Sequence, residues 1–278
     1  MTAAGPDPID LTGLHDTVDP LVRQAGEIAL QGFRTGILAE DKAGGRGDFD
    51  PVTRADRETE AFLRRELTAR FPDAQVIGEE GGTTGPISSM TWIIDPIDGT
   101  KAYVTGVPMW GVLLGLVVDG RPVAGWCRQP YLDEMFTAVD GQGWLELGTG
   151  RHRLSTSSTT DLALASMYST HPAMFASGWE RDAFEALAGE VRLQRFGGDC
   201  YSYCLLAAGH IDLVVEADMR AYDILPLVPI VEAGGGVVTG PDGEVPLEGG
   251  FIVAAATRAL HAEAMTHVAA ARPSDSRR

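Results

Sequence analysis

The sequence predicts an α+β protein in which helices cover sheets. Three observations carry that class. Two stretches near the start have helical period, apolar β-branched segments separated by Asp-Gly turns follow, and helix and strand patterns mix in the second half. The first ten residues, with two Pro and one Gly, read as a loose arm. Leu14 to Phe33 alternates apolar and polar residues at helical spacing, and Ala39 to Asp50 is a Gly-rich charged loop. Ala55 to Phe71 is an amphipathic helix with Asp56 and Glu58 in its first turn, where acids suit the helix dipole. Pro72-Asp73 stops it.

Gln75 to Gly78, Thr91 to Asp95 and Gly111 to Val118 read as strands, and Asp119-Gly120 and Asp140-Gly141 as hairpin turns, giving an antiparallel meander. Ser155 to Thr160 looks like a crossing into a second half, so the chain divides into residues 1–150 and 151–278. That half holds a helix around Tyr201 to Ala208, a strand at Ile211 to Glu216, a helix beginning near Asp223 and a strand after Gly236. Arg258 to Ala271 is a last helix, followed by a polar tail read as disordered. No internal repeat is visible.

A chain of 278 residues with 44% hydrophobic and 22% charged residues can bury a sizeable core. Its 22 Lys plus Arg against 39 Asp plus Glu give a net charge of −17. Such a surface repels nucleic acid and anionic membranes, so neither is expected as a partner. It also repels phosphate esters unless a bound cation intervenes. Cys127, Cys200 and Cys204 make neither a disulfide framework nor a complete thiolate zinc site, and Cys200 and Cys204 read as small core residues on one helix face. With no basic leader and no run of 18 apolar residues, the expectation is a soluble, cytoplasmic protein.

The most informative stretch is Trp92-Ile93-Ile94-Asp95-Pro96-Ile97-Asp98-Gly99-Thr100, an apolar strand running into two carboxylates, a glycine and a hydroxyl. Hard cations take oxygen ligands, and Mg²⁺ uses one or two carboxylates with substrate phosphate and water. Backbone N–H groups beside those acids suit a phosphate. A plain turn rich in Asp, Pro and Gly is the alternative. Asp56, Glu79, Asp95, Asp98 and Asp223 all fall at element ends. A lone acid at a helix start is more often a cap than a ligand. Five converging acids would repel and raise one another's pKa, a cost that a divalent cation removes. No serine-hydrolase elbow, P-loop or dinucleotide-binding motif occurs, and the six histidines form no H-x-x-x-H pair.

Asp50-Pro-Val-Thr-Arg-Ala-Asp56, Gly78-Glu79-Glu80, Trp92-Ile-Ile-Asp95-Pro-Ile-Asp98-Gly-Thr100 and Tyr222-Asp223 with Glu232-Ala-Gly-Gly235 resemble, in order and spacing, the successive signatures of the inositol-monophosphatase superfamily. The resemblance spans roughly residues 14 to 270. Asp98-Gly-Thr-Lys-Ala-Tyr-Val-Thr-Gly106, Gly198-Asp199-Cys-Tyr201-Ser-Tyr203 and Ala221-Tyr222-Asp223-Ile224-Leu225 are most similar to its histidinol-phosphate phosphatases. The resemblance implies a layered αβαβα sandwich, a Mg²⁺-dependent phosphomonoesterase with two or three ions per site, a small-molecule phosphate ester as substrate and a homodimer. Glu79, Asp95, Asp98, Asp223 and the carbonyl of Ile97 would be metal ligands, most of them in the first half. Asp56 and Thr100 would position and activate the attacking water with Glu79. Gly99 and Thr100 would offer N–H groups to phosphate, and Lys42 would correspond to a loop lysine near a third metal. Gly197, Asp199 and Glu216, in the second half with Asp223, would line the space for the organic part of the substrate.

The chain departs from the inositol-type pattern at Lys101-Ala102-Tyr103, where an Asn before an aromatic is usual, at Asp199, where a small residue is usual, and at Tyr222, where Trp is commoner. Asp199 and Glu216 would suit the cationic amine and imidazole of histidinol phosphate, an ester of histidine biosynthesis; Asp199 as a cap for the following helix is the other reading. Inositol monophosphatase or a broad-specificity sugar or nucleotide phosphatase is the alternative activity. An aspartyl-nucleophile mechanism of the haloacid-dehalogenase kind needs two acids one residue apart, whereas two residues separate Asp95 from Asp98.

Overall fold

The computed structural model describes residues 11, 13–36, 39–42 and 51–273. The expected N-terminal arm, most of the Gly-rich loop and the polar tail lie outside the described residues. Two helices, α1 (Leu14–Gly32) and α2 (Arg54–Arg70), precede the first sheet, with the short pair β1 (Glu40–Asp41) and β2 (Pro51–Val52) between them. The sheet comprises β3 (Gln75–Gly78), β4 (Gly82–Thr84), β5 (Met90–Asp98), β6 (Gly111–Val118), β7 (Arg121–Gln129), β8 (Glu134–Val139), β9 (Gln142–Leu147) and β10 (Gly150–Arg153). From β5 to β10 each strand pairs antiparallel with the next, the expected meander, while β3 lies parallel to β5. Both Asp-Gly hairpins have positive φ at each central residue, as right-twisted two-residue turns require.

The second sheet runs in the order β12 (Leu193–Phe196), β11 (Ser166–Ser169), β13 (Leu213–Met219), β15 (Gly250–Ala255), β14 (Val237–Thr239). The helices of this half are α4 (Trp179–Glu190), α5 (Asp199–Ala207), α6 (Ala221–Ile224), α7 (Leu227–Ala233) and α8 (Arg258–Ala271), and the five-residue α3 (Thr100–Val104) follows β5. Strand alternation sorts the core into three layers. Trp92 and Ile94 of β5 face α1 and α2, and Ile93 faces α5 and α7 between the sheets. Val214 of β13 shares that middle layer, while Leu213 and Val215 face α4 and α8 outside. The stack is therefore α, β, α, β, α.

Local differences from the sequence reading have physical causes. The strand expected at Ile211 to Glu216 begins at Leu213 and reaches Met219. The helix expected near Asp223 is one turn, α6, after which Pro226 starts α7, because a proline lacks the N–H that would continue the first turn. The Ser/Thr-rich crossing is not merely a spacer. Thr156 donates its N–H to Gly234 O (2.9 Å), and Ser157 Oγ donates to the buried Asp212 at 2.5 Å, fastening the crossover to the second sheet. The three cysteines are free and buried together, with Cys127 Sγ 4.0 Å from Cys200 Sγ. Among the described residues no helix is long and apolar enough to cross a membrane.

Candidate active site

The centre of the site is the end of β5, and the strand does not stop at Asp95. It continues to Asp98 with a bulge: Asp95 pairs with Leu113 and Asp98 with Gly111, three steps against two. In an unbroken strand, residues three apart point to opposite faces. The extra residue reverses the alternation, so that Ile97 returns to the α1–α2 side with Ile94, and Asp98 joins Asp95 toward the middle layer. Carboxylate oxygens of Asp95, Asp98 and Asp223 consequently all lie within 4.8 Å of one another.

Each of the three spends an oxygen on a backbone N–H. Asp95 Oδ1 accepts from Ile97 N at 3.1 Å, Asp98 Oδ2 from Cys200 N at 2.6 Å, and Asp223 Oδ2 from Arg220 N at 2.7 Å. Glu79 follows β3, the parallel neighbour of β5, and its N–H donates to Ile94 O (3.2 Å). Lys42 Nζ lies 2.7 Å from Glu79 Oε1 and 2.5 Å from Glu80 Oε1.

Burial pushes Glu79 up to about 7, opposed by Lys42 and reinforced by Glu80 and Asp223. Burial does the same to Asp98, with Asp199 and Glu79 adding repulsion, and to Asp223, with Asp98 adding it; both stand at about 7. Asp95, 2% exposed, is driven well above the ordinary range by burial and then by Glu79, Asp98 and Asp223. Acids that can ionise together only at mutual cost suit a hard divalent cation, and the cluster of Asp95, Asp98 and Asp223 could hold one. All are oxygen donors, which suits Mg²⁺; no thiol or imidazole belongs to the cluster.

Asp56 reaches the site from the start of α2. Thr53 and Asp56 form a capping box: Thr53 N and Oγ1 both donate to Asp56 Oδ2, at 2.8 and 2.5 Å, and Ala55 N donates to Thr53 Oγ1 at 3.1 Å. Asp56 therefore serves the capping box with one oxygen, while the other, Oδ1, is 3.4 Å from Thr100 Oγ1. Thr100 Oγ1 is also 2.9 Å from Ile97 O, and its single proton serves one acceptor at a time. Burial raises the Asp56 pKa, partly offset by the Thr53 hydrogen bonds. Gly99 has φ +86°, and a Cβ there would meet Met109 O at 2.8 Å and Asp199 Cβ at 3.3 Å, so the turn tolerates no other residue.

The substrate side differs from expectation in one detail. Asp199 does not cap its helix; Gly198 is the cap residue, without a side-chain bond, and Asp199 opens α5 in a left-handed conformation (φ +44°). Its side chain lies beside Gly99, where an added Cβ would come within 3.3 Å of Asp199 Cγ. Burial and then Glu216 push it up to about 7, and Lys101 works the other way. Glu216 is 1% exposed and both its oxygens are engaged: Oε1 accepts from Thr170 N (2.8 Å) and Thr170 Oγ1 (2.6 Å), and Oε2 from Tyr203 OH (3.0 Å). Gly197, with φ +82°, is exposed at the turn between β12 and α5. The chain's two lysines, Lys42 and Lys101, thus both stand beside site acids. Thr53, Cys200 N–H, Thr170 and Tyr203 were invisible as site residues, because each acts on a partner brought close only by the fold.

The inositol monophosphatase family model matches residues 13–273. The chain is 37% identical over 223 residues to a histidinol-phosphatase of Mycobacterium tuberculosis, covering 80% of this chain and 85% of that protein. It is 35% identical over 221 residues to the chloroplastic bifunctional phosphatase IMPL2 of Arabidopsis thaliana, covering 79% of this chain and spanning 62% of that protein. An inositol monophosphatase structure from Zymomonas mobilis superposes with a TM-score of 0.81 at 32% identity, covering 94% of this chain and all of that one. With a family match along almost its whole length and the acids gathered in one place, the chain belongs to the inositol monophosphatase family and is a hydrolase of phosphate esters.

Proposed function

We propose that the chain is a Mg²⁺-dependent phosphomonoesterase whose preferred ester has a cationic organic half, with histidinol phosphate, cleaved to histidinol and phosphate, as the first candidate. The observation that carries this reading is Asp199, a half-buried acid beside the turn at Gly99 and not spent on a helix cap. Glu216, with both oxygens engaged, adds negative charge behind it.

Glu79, Asp95, Asp98, Asp223 and the Ile97 carbonyl would hold two or three ions. Bound there, Mg²⁺ neutralises phosphoryl oxygens and makes water more acidic. The chain's own residues supply the rest. Thr100 Oγ1, between Ile97 O and Asp56 Oδ1, orients the attacking water, and Asp56, fixed by Thr53, stands behind it to take up the proton. Gly99 and Thr100 offer backbone N–H groups to the phosphoryl oxygens. The leaving oxygen would depart on the Asp223 side and take a proton from solvent water while Asp56 returns its own to solvent, so no covalent intermediate is needed.

A charge-assisted contact contributes about 1.5–3 kcal/mol, equivalent to about 10–150-fold in rate. The test is kcat/KM with Mg²⁺ for histidinol phosphate, inositol 1-phosphate and an uncharged aryl phosphate, in the native chain and in Asp199→Asn. The expected result is preference for histidinol phosphate and a loss in the variant confined to it. Equal loss on all three esters counts against the reading.

The second reading, an inositol monophosphatase or a phosphatase of broad specificity, draws support from the likeness to the Zymomonas mobilis inositol monophosphatase. It predicts that inositol 1-phosphate is turned over at least as well and that Asp199→Asn leaves the ranking of esters unchanged.

A further inference from the structure

We propose that Glu60 and Arg64 of α2 are positioning residues for the metal site, holding the β3–β4 turn so that Glu79 meets the β5 acids; the inference rests on the metal-site reading above. Asp56, Glu60 and Arg64 recur at four-residue spacing along one face of α2, and the first already belongs to the site. Glu60 is 3% exposed. Its Oε2 accepts from Glu80 N at 2.7 Å, and its Oε1 from Gly81 N at 2.9 Å and from Arg64 NH2 at 2.6 Å. Arg64 NH2 also donates to Gly82 O at 2.9 Å, while NH1 donates to Val76 O at 3.3 Å and to Thr84 Oγ1 at 2.6 Å.

Two side chains one helical turn apart therefore grip the hairpin at five positions on either side of Glu79. Glycine permits the approach: a Cβ on Gly78 would lie 2.5 Å from Glu60 Cδ, and one on Gly81 would lie 2.6 Å from Glu60 Oε1. Glu79 itself is left untouched by the pair, and its carboxylate remains for Lys42 and a cation. The pair thus fixes a ligand-bearing turn without competing for the ligand. Hydrogen bonds of this outer kind typically govern metal affinity by about 10–100-fold.

Glu60→Gln keeps shape but replaces one accepting oxygen with a donor facing a backbone N–H. Thr84→Ala removes only the outermost Arg64 contact, at an exposed residue. Phe62→Leu destabilises the same helix from its core side. Binding of Mn²⁺ to each full-length protein, read from the electron paramagnetic resonance signal of the free ion, is compared with melting temperature and with the Mg²⁺ dependence of phosphatase activity. Glu60→Gln is expected to weaken Mn²⁺ binding about tenfold, to raise the Mg²⁺ needed for half-maximal rate, and to regain kcat as Mg²⁺ is raised. Thr84→Ala should shift affinity in the same direction by less, and carries the test if Glu60→Gln does not fold. Phe62→Leu should lower the melting temperature and leave affinity alone. Unaltered Mn²⁺ affinity in Glu60→Gln, or in Thr84→Ala where Glu60→Gln does not fold, overturns the inference, as does equal weakening in Phe62→Leu. A native chain that binds no Mn²⁺ sinks both this inference and the metal reading beneath it.

Discussion

The two sides of the site are built differently. The centre of the metal side is a short run, Asp95 to Thr100, in which one bulge turns two acids the same way, and Asp223 is the acid that joins them from a distant segment. The proposed substrate side is assembled from separate segments: Asp199 at the head of α5, Glu216 on β13, Thr170 after β11 and Tyr203 within α5. The contrast teaches that part of the metal side is written in one run of sequence, whereas the proposed substrate side depends on long-range contacts throughout.

The difference can be broken first on the metal side. Asp95→Asn removes a buried ligand shared by the cluster, and losing several kcal/mol of charge stabilisation corresponds to a fall of about 10³-fold in kcat/KM, on every ester alike. A loss restricted to one ester would mean that the two sides are not separable. On the other side, the ester-specific loss expected for Asp199→Asn is the sharpening counterpart, smaller and selective.

A third test reads the acids through stability. Glu79, Asp98, Asp199 and Asp223 stand at about 7, against ordinary values of 3.8 for Asp and 4.5 for Glu. Between those limits the folded chain binds more protons than the unfolded one, so without metal its stability falls as pH rises from about 4.5 to 7. Melting temperatures in chelator should decline across that window, and Mg²⁺ should offset the decline most at its upper end. A flat profile in chelator would contradict the arrangement. The smallest effect belongs to Thr53→Ala, which removes a cap and should cost about 1 kcal/mol in stability, measured by urea unfolding. The same change should lower kcat on all esters, because Asp56 loses one of its two Thr53 donors.

What could be read without the fold follows the same division. The helical period of α1, α2 and α8 and the Asp-Gly hairpins were legible because each signal lies within one element. The Asp95-x-x-Asp98 spacing pointed to the metal side, although the bulge that makes it work came only with the pairing to β6. Strands β11 and β12 carried too little pattern: Ser166–Ser169 is four residues long, and Leu193–Phe196 is a largely exposed edge. The apolar run Gly250–Ala255 is buried on both faces, so it lacks the alternation that marks a half-exposed strand. Helix α4 has buried positions at Ala183, Phe184 and Leu187, too few to mark a helical face in the sequence. Glu60 looks like one more charge on a polar helix face, since the backbone N–H groups it holds lie twenty and more residues away.

Asp98 touches both sides at once, lying in the acid cluster while its Oδ2 accepts the N–H of Cys200. Any pull on that carboxylate from the cation side is therefore felt at the opening turn of a helix in the other half of the molecule. Deuterium uptake at the Cys200 amide should accordingly act as an occupancy gauge, slowing when Mg²⁺ arrives and requiring no substrate to be read.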